Sequence, residues 1–274
     1  MKFDSNPRPF LRWAGGKNWL VKNIKSYLPP HFENYYEPFL GGGSVFIYLK
    51  SNDLIKKHAI LSDINYELIN SYEVIKNHVE ELVQSLLIHD NNKDYYYSIR
   101  EIFHDDIIQK ASRFIYLNRT SYNGIYRENL KGQYNVPYGH KKYNQLFDLE
   151  NLKSLNTLFN GCRFENRDFE SLLPEIKRND LVFIDPPYTV AHGLNGFIKY
   201  NQKIFSWADQ LRLKNFLMEI NEKGAFYIMT NAYHESILDL FANMGNVYLQ
   251  SRPSLVGGKG AIRTVYKEIL ITNI

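Results

Sequence analysis

The chain has 274 residues, of which 44% are hydrophobic, and a formal net charge of +4. This length and apolar content can bury a substantial core, in one large domain or in a core domain with an insertion, and they exclude a disordered or fibrous protein. The start of the chain lacks the apolar stretch of a signal peptide, and no apolar run approaches the roughly 20 residues that a membrane helix needs. We therefore expect a soluble, cytoplasmic protein with no membrane partner, and we expect a monomer in solution.

The first predicted elements form a strand, a glycine-rich turn and a helix. Apolar spacing predicts a preceding helix over residues 17–28, which ends at two prolines. A strand over 35–37 then leads into three glycines, and a helix over 44–50 opens directly from them. The next strand, over 58–62, ends at Asp63, about twenty residues beyond the glycines. This order is the first half of a βαβ unit.

The middle of the chain differs in character from both ends. Residues 65–120 have helical periodicity, residues 123–140 are rich in glycine, asparagine and proline and predict a loop and hairpin, and a short helix is expected over 149–159. Alternation then returns, with strands predicted over 162–165, 181–184, 225–230, 246–250 and 264–272, and a helix over 206–222 that begins with a capping box.

These patterns predict an α/β fold: a doubly wound, Rossmann-like sheet with an inserted, mostly helical domain that carries a hairpin. We assign residues 1–64 and 161–274 to the sheet domain and residues 65–160 to the insertion. The single cysteine, Cys162, and eight histidines without ligand spacing exclude a thiolate metal site and indicate no metal centre.

The insertion carries a basic stripe with aromatic residues. Between residues 119 and 147 the only acid is Glu128, while five basic residues alternate with five tyrosines: Arg119, Arg127, Lys131, Lys141 and Lys142 with Tyr122, Tyr126, Tyr134, Tyr138 and Tyr143. Such a stripe can neutralise phosphates and stack on bases. It is equally typical of a solvated loop whose tyrosines anchor it to the core.

A carboxylate, a rigid turn and an aromatic ring follow the apolar strand 181–184, in the segment Asp185-Pro186-Pro187-Tyr188. Two prolines hold the backbone stiff and leave the neighbouring carbonyls as acceptors, which suits a substrate amine. The alternative is an ordinary proline turn with a surface aspartate. Because ligands in open α/β sheets bind beyond the carboxyl ends of strands, we expect residues 39–41, Asp63 and Asp185 to converge on one crevice.

The glycine turn and Asp63 suit a nucleoside ligand, because glycines allow close approach and a carboxylate can accept ribose hydrogen bonds. A dinucleotide fingerprint requires a third glycine where this chain has Phe46, which disfavours a nicotinamide enzyme. A nucleoside cofactor without a pyrophosphate fits better.

In this order, the segments FLRWAGGK (10–17), EPFLGGGSVF (37–46), DIN (63–65) and DPPY (185–188) resemble the DNA adenine methylase (Dam) family of amino-methyltransferases. LNRTSYNGIYR (117–127) and YNVPYG (134–139) are similar to the target-recognition segment of that family. The resemblance runs from about residue 10 to the final strand, and the order of motifs is that of the alpha group.

This resemblance implies transfer of a methyl group from S-adenosylmethionine to the exocyclic N6 amine of adenine in duplex DNA. It makes the sheet domain the catalytic, cofactor-binding domain and the insertion the target-recognition domain. The cofactor-binding residues that we expect are Trp13, Lys17, Phe39, Gly41, Gly43, Asp63 and Asp185. The DNA-binding residues that we expect are Arg12, Tyr122, Asn123, Ile125, Arg127, Pro137 and Tyr138, with Arg252 and Lys259 of a later basic loop as phosphate contacts.

The residues needed for methyl transfer follow from the properties of the exocyclic amine of adenine. Adenine's exocyclic nitrogen is a poor nucleophile, and two acceptors on its hydrogens, the Asp185 carboxylate and the Pro186 carbonyl, would stabilise the positive charge that develops on it. In-line transfer then needs no covalent intermediate. The base must leave the helix, and Tyr188 offers a ring for it to stack on. Cys162, at a predicted strand start, is expected to be a core residue rather than a cytosine-attacking thiolate.

Two alternatives remain open at this stage. One is an RNA or other amino-methyltransferase, because Asp-Pro-Pro-Tyr also occurs outside DNA enzymes; the other is a catalytically silent DNA-binding relative. By analogy alone, the target is a short palindrome such as GATC, and a restriction-modification role with a separately acting cognate endonuclease is compatible with the sequence.

Overall fold

The computed structural model describes residues 7–129, 132–189, 205–253 and 265–274. Lys259 therefore lies outside the described residues, and so does the side chain of Arg252, whose main chain belongs to a strand. The predictions for these two side chains stay predictions.

Seven strands form the sheet, and eight α-helices are present in the described residues. The strands are β1 (Tyr35–Glu37), β2 (Ala59–Asp63), β3 (Arg163–Asn166), β4 (Leu181–Ile184), β5 (Phe226–Ala232), β6 (Asn246–Pro253) and β7 (Val265–Thr272). The helices are α1 (Ser44–Ser51), α2 (Tyr66–Asn77), α3 (Val79–Leu87), α4 (Lys93–Glu101), α5 (Ile107–Thr120), α6 (Leu149–Phe159), α7 (Trp207–Glu222) and α8 (Glu235–Leu240). Short 3₁₀ helices cover Ile24–Tyr27, Tyr122–Gly124 and Phe169–Leu172.

The strand order is β3-β2-β1-β4-β5-β7-β6. Strand β4 lies between β1 and β5 and is parallel to both, whereas β7 is antiparallel to β5 and β6. All four residues of β4 are buried, as expected for a central parallel strand whose two faces are both covered. The predicted α/β fold with a Rossmann-like sheet is confirmed.

The chain divides into two compact units, each made of three separate stretches of sequence. The first contains residues 1–21, 40–55 and 61–166, and the second contains residues 22–39, 56–60 and 167–274. An aromatic cluster of Phe46, Tyr72, Phe159 and Phe164 packs in the first unit. In the second unit, β4 and β5 pack with α7 through residues such as Ile184, Met229 and Phe216.

One predicted helix is wrong. Residues 17–28 form turns and the short 3₁₀ helix instead, closed by hydrogen bonds such as Leu20 N to Lys17 O and Ser26 N to Asn23 O. Three-residue hydrogen bonds of this kind close turns and 3₁₀ helices in place of a continuous α-helix. At the start of the segment, the Lys17 amide donates to the Ser44 hydroxyl and its ammonium donates to the Gly15 carbonyl. These contacts hold Lys17 against the neighbouring glycine turn.

The predicted hairpin over 123–140 is present as a short antiparallel pairing. Glu128 bridges Tyr134, and backbone hydrogen bonds run from Asn129 N to Gln133 O and from Asn135 N to Arg127 O. The pairing is limited to isolated bridges among the described residues, and the Tyr134 hydroxyl adds a side-chain hydrogen bond to the Ile125 carbonyl at 2.9 Å. The other predicted strands and helices match the structure to within two residues, apart from a longer β6, and the helical region 65–120 resolves into four helices.

The predicted capping box of α7 offers a test of the fold. The Ser206 hydroxyl accepts a hydrogen bond from the Asp209 amide at 3.2 Å, and the Asp209 carboxylate accepts one from the Ser206 amide at 2.8 Å. We expect Ser206→Ala to lower the free energy of unfolding by about 0.5–2 kcal/mol, as measured in urea. Ser154→Ala, inside α6, is the control and should change it by less than about 0.5 kcal/mol. Equal losses for the two variants would contradict the capping role.

Candidate active site

In the first unit, the glycine turn that opens α1 has no room for side chains. Gly41 and Gly43 have φ angles of 48° and 64°, in the left-handed region that favours glycine. A Cβ atom on Gly41 would lie 2.8 Å from Cδ1 of Trp13, and one on Gly43 would lie 2.7 Å from the hydroxyl oxygen of Tyr72. The Tyr72 hydroxyl also donates to the Gly41 carbonyl at 3.0 Å. The turn is therefore enclosed by Trp13 and Tyr72 at the positions where side chains would lie.

Trp13 and Lys17 both lie against this turn. The Trp13 ring stacks on Tyr126 with a centroid distance of 5.5 Å and an interplanar angle of 23°. Lys17 is only 2% exposed, and its ammonium donates to the Gly15 carbonyl at 2.8 Å. A buried lysine is costly unless it has partners, and the Gly15 carbonyl is one such partner for the Lys17 side chain.

Asp63, at the end of β2, is joined to the same turn by hydrogen bonds. Its Oδ2 accepts from the Gly41 amide and its Oδ1 accepts from the Asn65 amide, both at 3.0 Å. Burial raises the pKa of Asp63, while these backbone hydrogen bonds act in the opposite direction. The structure thus brings together Trp13, Lys17, Gly41 and Asp63 in the first unit.

In the second unit, Asp185 stands at the end of β4. Its Oδ1 accepts a hydrogen bond from the hydroxyl of Thr230 at 2.7 Å. Thr230 is fully buried in the neighbouring strand β5, so its hydroxyl has a fixed position. The carboxylate of Asp185 is therefore oriented by the sheet itself, and the buried Pro186 follows it directly.

Tyr188 is oriented by a second strand. Its hydroxyl donates to Oε2 of Glu268 at 2.8 Å, and Glu268 is only 2% exposed in β7. Phe39, which we expected at the cofactor, packs on Phe169 and Phe205 with centroid distances of 5.2 and 5.6 Å. Sequence reasoning missed Thr230 and Glu268. The available signal was their position next to apolar runs, Ile228-Met229 in β5 and Ile269-Leu270-Ile271 in β7.

The recognition loop, which joins the segments 117–127 and 134–139, is anchored by a buried side chain that sequence reasoning also missed. Asn118, at 2% exposure, accepts from the Arg12 amide at 2.9 Å and donates to the carbonyls of Arg12 and Gly124 at 2.9 and 3.1 Å. Gly124 has a φ angle of 64°, and a Cβ atom there would lie 2.6 Å from Cδ of Arg12. Arg12 is therefore held against the loop although it is distant in sequence.

The expected DNA-contacting side chains differ in exposure. Tyr122, Asn123, Arg127 and Pro137 are exposed, Ile125 is half-buried, and the Tyr122 amide donates to the Pro137 carbonyl, which joins the two recognition segments.

Tyr138 is 8% exposed, and its hydroxyl donates to Oδ1 of Asn91 at 2.9 Å. This contact gives Tyr138 a structural role, and DNA contact by this residue stays a prediction.

Two negative findings hold for the described part of the chain. No group of three or more histidine, cysteine, aspartate or glutamate side chains there could hold a metal ion. No helix there has the length and apolar character needed to cross a membrane.

Comparisons with known proteins agree with these features. The model of the family described as "D12 class N6 adenine-specific DNA methyltransferase" matches residues 13–253. A type II methyltransferase of Lactococcus lactis subsp. cremoris is 33% identical over 98% of this chain and 96% of its own length. A type II methyltransferase of Methanocaldococcus jannaschii is 34% identical over 97% and 99%. A DNA adenine methylase of Escherichia coli is 33% identical over 84% and 82%.

The chain belongs to the D12 class of N6 adenine-specific DNA methyltransferases. The resemblance to the DNA adenine methylase family is thereby confirmed, as is the prediction that the protein is an enzyme that methylates adenine in DNA.

The close packing of Trp13 on the glycine turn can be tested with two alanine variants. Gly41→Ala and Gly161→Ala both place a side chain at positive φ, which costs about 1–2 kcal/mol, but a Cβ atom on Gly161 meets no atom within 4 Å. We expect Gly41→Ala to lower the free energy of unfolding further, because Trp13 must move, and to reduce methyl transfer to DNA. Gly161→Ala should leave the transfer rate unchanged. Equal unfolding energies and equal rates for both variants would show that Trp13 does not constrain the turn.

Proposed function

We propose that this enzyme transfers a methyl group from S-adenosylmethionine to N6 of an adenine that has turned out of duplex DNA, in line and without a covalent enzyme intermediate. The observation that carries this proposal is the Asp185 carboxylate, held by Thr230 at the end of a buried strand and followed by a rigid Pro-Pro turn. The family defines adenine N6 as the methylated atom; the donor, the duplex substrate and the roles of individual residues are our proposal.

The donor is supported by the chemistry of the first unit. When bound, S-adenosylmethionine supplies an electrophilic methyl group on a positively charged sulfur. Asp63, fixed by two backbone amides, suits the acceptance of ribose hydroxyl hydrogen bonds. The buried ammonium of Lys17 suits a carboxylate, and Gly41 and Gly43 allow the tight turn because side chains there would collide with Trp13 and Tyr72. Trp13 would add apolar contacts. Phe39 belongs to the second unit, and its contact with the cofactor stays a prediction.

Activation of the amine belongs to the second unit. The lone pair of adenine N6 is delocalised into the ring, so the enzyme must favour the form in which this pair is available. We assign the amine hydrogens to the Asp185 carboxylate and the Pro186 carbonyl, which would also stabilise the positive charge that develops on nitrogen. The 2.7 Å hydrogen bond from Thr230 holds the carboxylate in one orientation before the substrate arrives. Such preorganisation avoids reorganisation during the reaction.

Cys162 supports an amine target rather than a ring carbon. Its side chain is 1% exposed, and burial raises the pKa of its thiol. A thiol that is buried and harder to ionise is a poor nucleophile. The expectation that Cys162 is a core residue agrees with its position immediately before β3.

DNA recognition is assigned to the loop that Asn118 anchors. Arginine can bind guanine with two hydrogen bonds, asparagine can bind adenine in the same way, and apolar side chains can contact a thymine methyl group. Arg127 and Asn123 are exposed and fit the first two roles; Ile125 and Pro137 fit the third. We propose a short palindromic target, with GATC as the first sequence to test. A cognate endonuclease would act as a separate protein.

A transfer assay distinguishes this function from its main rival. Purified protein is incubated with isotopically methyl-labelled S-adenosylmethionine and either duplex DNA or structured RNA, and the nucleosides are then separated. We expect the label in N6-methyladenine from DNA. Strong labelling of RNA with no product from DNA would contradict the duplex substrate, and DNA binding without any product would indicate a catalytically silent relative.

Asp185→Ala tests the acceptor directly. Loss of this carboxylate should reduce methyl transfer by at least about 100-fold, the magnitude typical for removing a preorganised group from a developing charge. The protein should still fold, because Asp185 is only half-buried, although loss of this acceptor for the buried Thr230 hydroxyl lowers the free energy of unfolding by about 1–3 kcal/mol. Asp239→Ala, which alters an exposed aspartate in α8 of the same unit, is the control and should keep the wild-type rate. A rate near wild type for Asp185→Ala would remove this residue from the mechanism.

Variants of Arg127 test whether this side chain recognises a base. Its Nε donates to Oδ1 of Asn135 at 2.8 Å, which orients an exposed guanidinium. We expect Arg127→Ala to weaken binding to the target, or its discrimination from other sites, by about 1–3 kcal/mol. Arg127→Lys keeps the charge without the planar fork, so it should restore nonspecific binding but not discrimination. Binding and specificity that are unchanged in both variants would show that Arg127 does not read a base.

A further inference from the structure

The Asp-Pro-Pro-Tyr motif is held at both of its ends by side chains from other strands. Asp185 accepts from Thr230 on β5 at 2.7 Å, and Tyr188 donates to Glu268 on β7 at 2.8 Å. In the antiparallel register, Thr230 pairs with Leu270, and Glu268 lies directly opposite Ala232. Because residues two apart point to the same side of a strand, both anchors follow from the pairing of β5 with β7.

Glu268 is an unusual residue for its position. It is 2% exposed, and the three residues that follow it in β7, Ile269, Leu270 and Ile271, are buried and apolar. A buried carboxylate is costly unless hydrogen bonds compensate, and apolar replacements of buried ionic groups are often neutral or stabilising. Packing alone therefore gives no reason for a carboxylate here. Its contact with the Tyr188 hydroxyl fixes the far end of a half-buried ring.

The backbone next to this ring is also fixed. Pro187 restricts the chain before Tyr188, and after it the Thr189 hydroxyl donates to the Phe205 carbonyl at 3.1 Å and accepts from Nε2 of Gln210 at 2.9 Å. Gln210 is fully buried in α7. With the main chain held on both sides, Tyr188 can still rotate about its Cα–Cβ and Cβ–Cγ bonds. The bond to Glu268 restrains the first rotation, because it holds the hydroxyl end of the ring in one place.

We infer that Glu268 is a positioning residue that holds the Tyr188 ring at the place where a flipped adenine stacks. This inference rests on the proposed stacking role of Tyr188. Stacking needs a ring at a defined place, and a ring that is placed before binding does not lose that freedom when the base arrives. Glu268 itself touches neither substrate nor cofactor in this assignment, and acts through the tyrosine.

The test is a double-mutant cycle with a conservative variant. Glu268→Ala, Glu268→Gln, Tyr188→Phe and the double variant Glu268→Ala with Tyr188→Phe are compared for kcat and for KM toward duplex DNA. A 2-aminopurine at the target position reports base flipping by its fluorescence. Wild-type enzyme is first shown to form N6-methyladenine.

We expect Glu268→Ala and Tyr188→Phe each to lower kcat and the flipping signal by about tenfold, the effect of losing one hydrogen bond near the substrate. The double variant should be no worse than either single variant, because both remove the same contact. Glu268→Gln keeps an acceptor for the hydroxyl and should stay within about threefold of wild type. Affinity for S-adenosylmethionine should not change.

Each other outcome has a definite meaning. Additive losses in the double variant, or a wild-type kcat for Tyr188→Phe, would overturn the positioning role. If Glu268→Ala does not fold, the cycle is completed with Glu268→Leu, which fills the buried site without an acceptor, and Tyr188→Phe must still show the tenfold loss. Absence of N6-methyladenine with wild-type enzyme would overturn the proposed function, whereas product formation with an additive cycle would overturn this inference alone.

Discussion

The hydrogen bond from the Thr230 hydroxyl to the Asp185 carboxylate is the contact on which the chemistry depends. It exists because β4 pairs in parallel with β5, with Ile184 opposite Met229, so the next residues, Asp185 and Thr230, lie side by side. An aspartate after β4 thus lies beside a threonine in β5. The sheet therefore orients the Asp185 carboxylate as a hydrogen-bond acceptor. The Pro-Pro turn restricts the backbone that carries the Pro186 carbonyl.

The first unit uses backbone amides in the same way. Gly41 and Asn65 donate to the two carboxylate oxygens of Asp63, and Trp13 and Lys17 pack against the glycine turn from the amino-terminal segment. The recognition loop is anchored by Asn118, which binds the main chain of Arg12 and Gly124. In both cases a buried polar side chain or a backbone amide holds a residue or loop that we propose to bind a ligand. A rigid scaffold supports functional loops in this way.

The sequence predicted what is determined locally. The four apolar residues of β4, the glycines before α1 and the Ser206 capping box each define an element from neighbouring residues, and all three were predicted correctly. Residues 17–28 were mispredicted because the spacing of the buried Leu20 and Ile24 also suits a helix, whereas the segment closes in turns and a 3₁₀ helix. Thr230, Glu268 and Asn118 were missed because their partners lie 45, 80 and 106 residues away, and only the folded sheet and helices bring them together.

Sequencing that maps modified bases in the DNA of cells expressing this protein is the measurement that tests the central claim most directly, because it reports the chemistry and the target together. We expect N6-methyladenine at one position of a single short palindromic sequence, on both strands and at nearly every occurrence. Adenines that are unmodified throughout the genome, or methyl groups found on cytosine instead, would contradict the assignment of this enzyme to adenine N6 in duplex DNA.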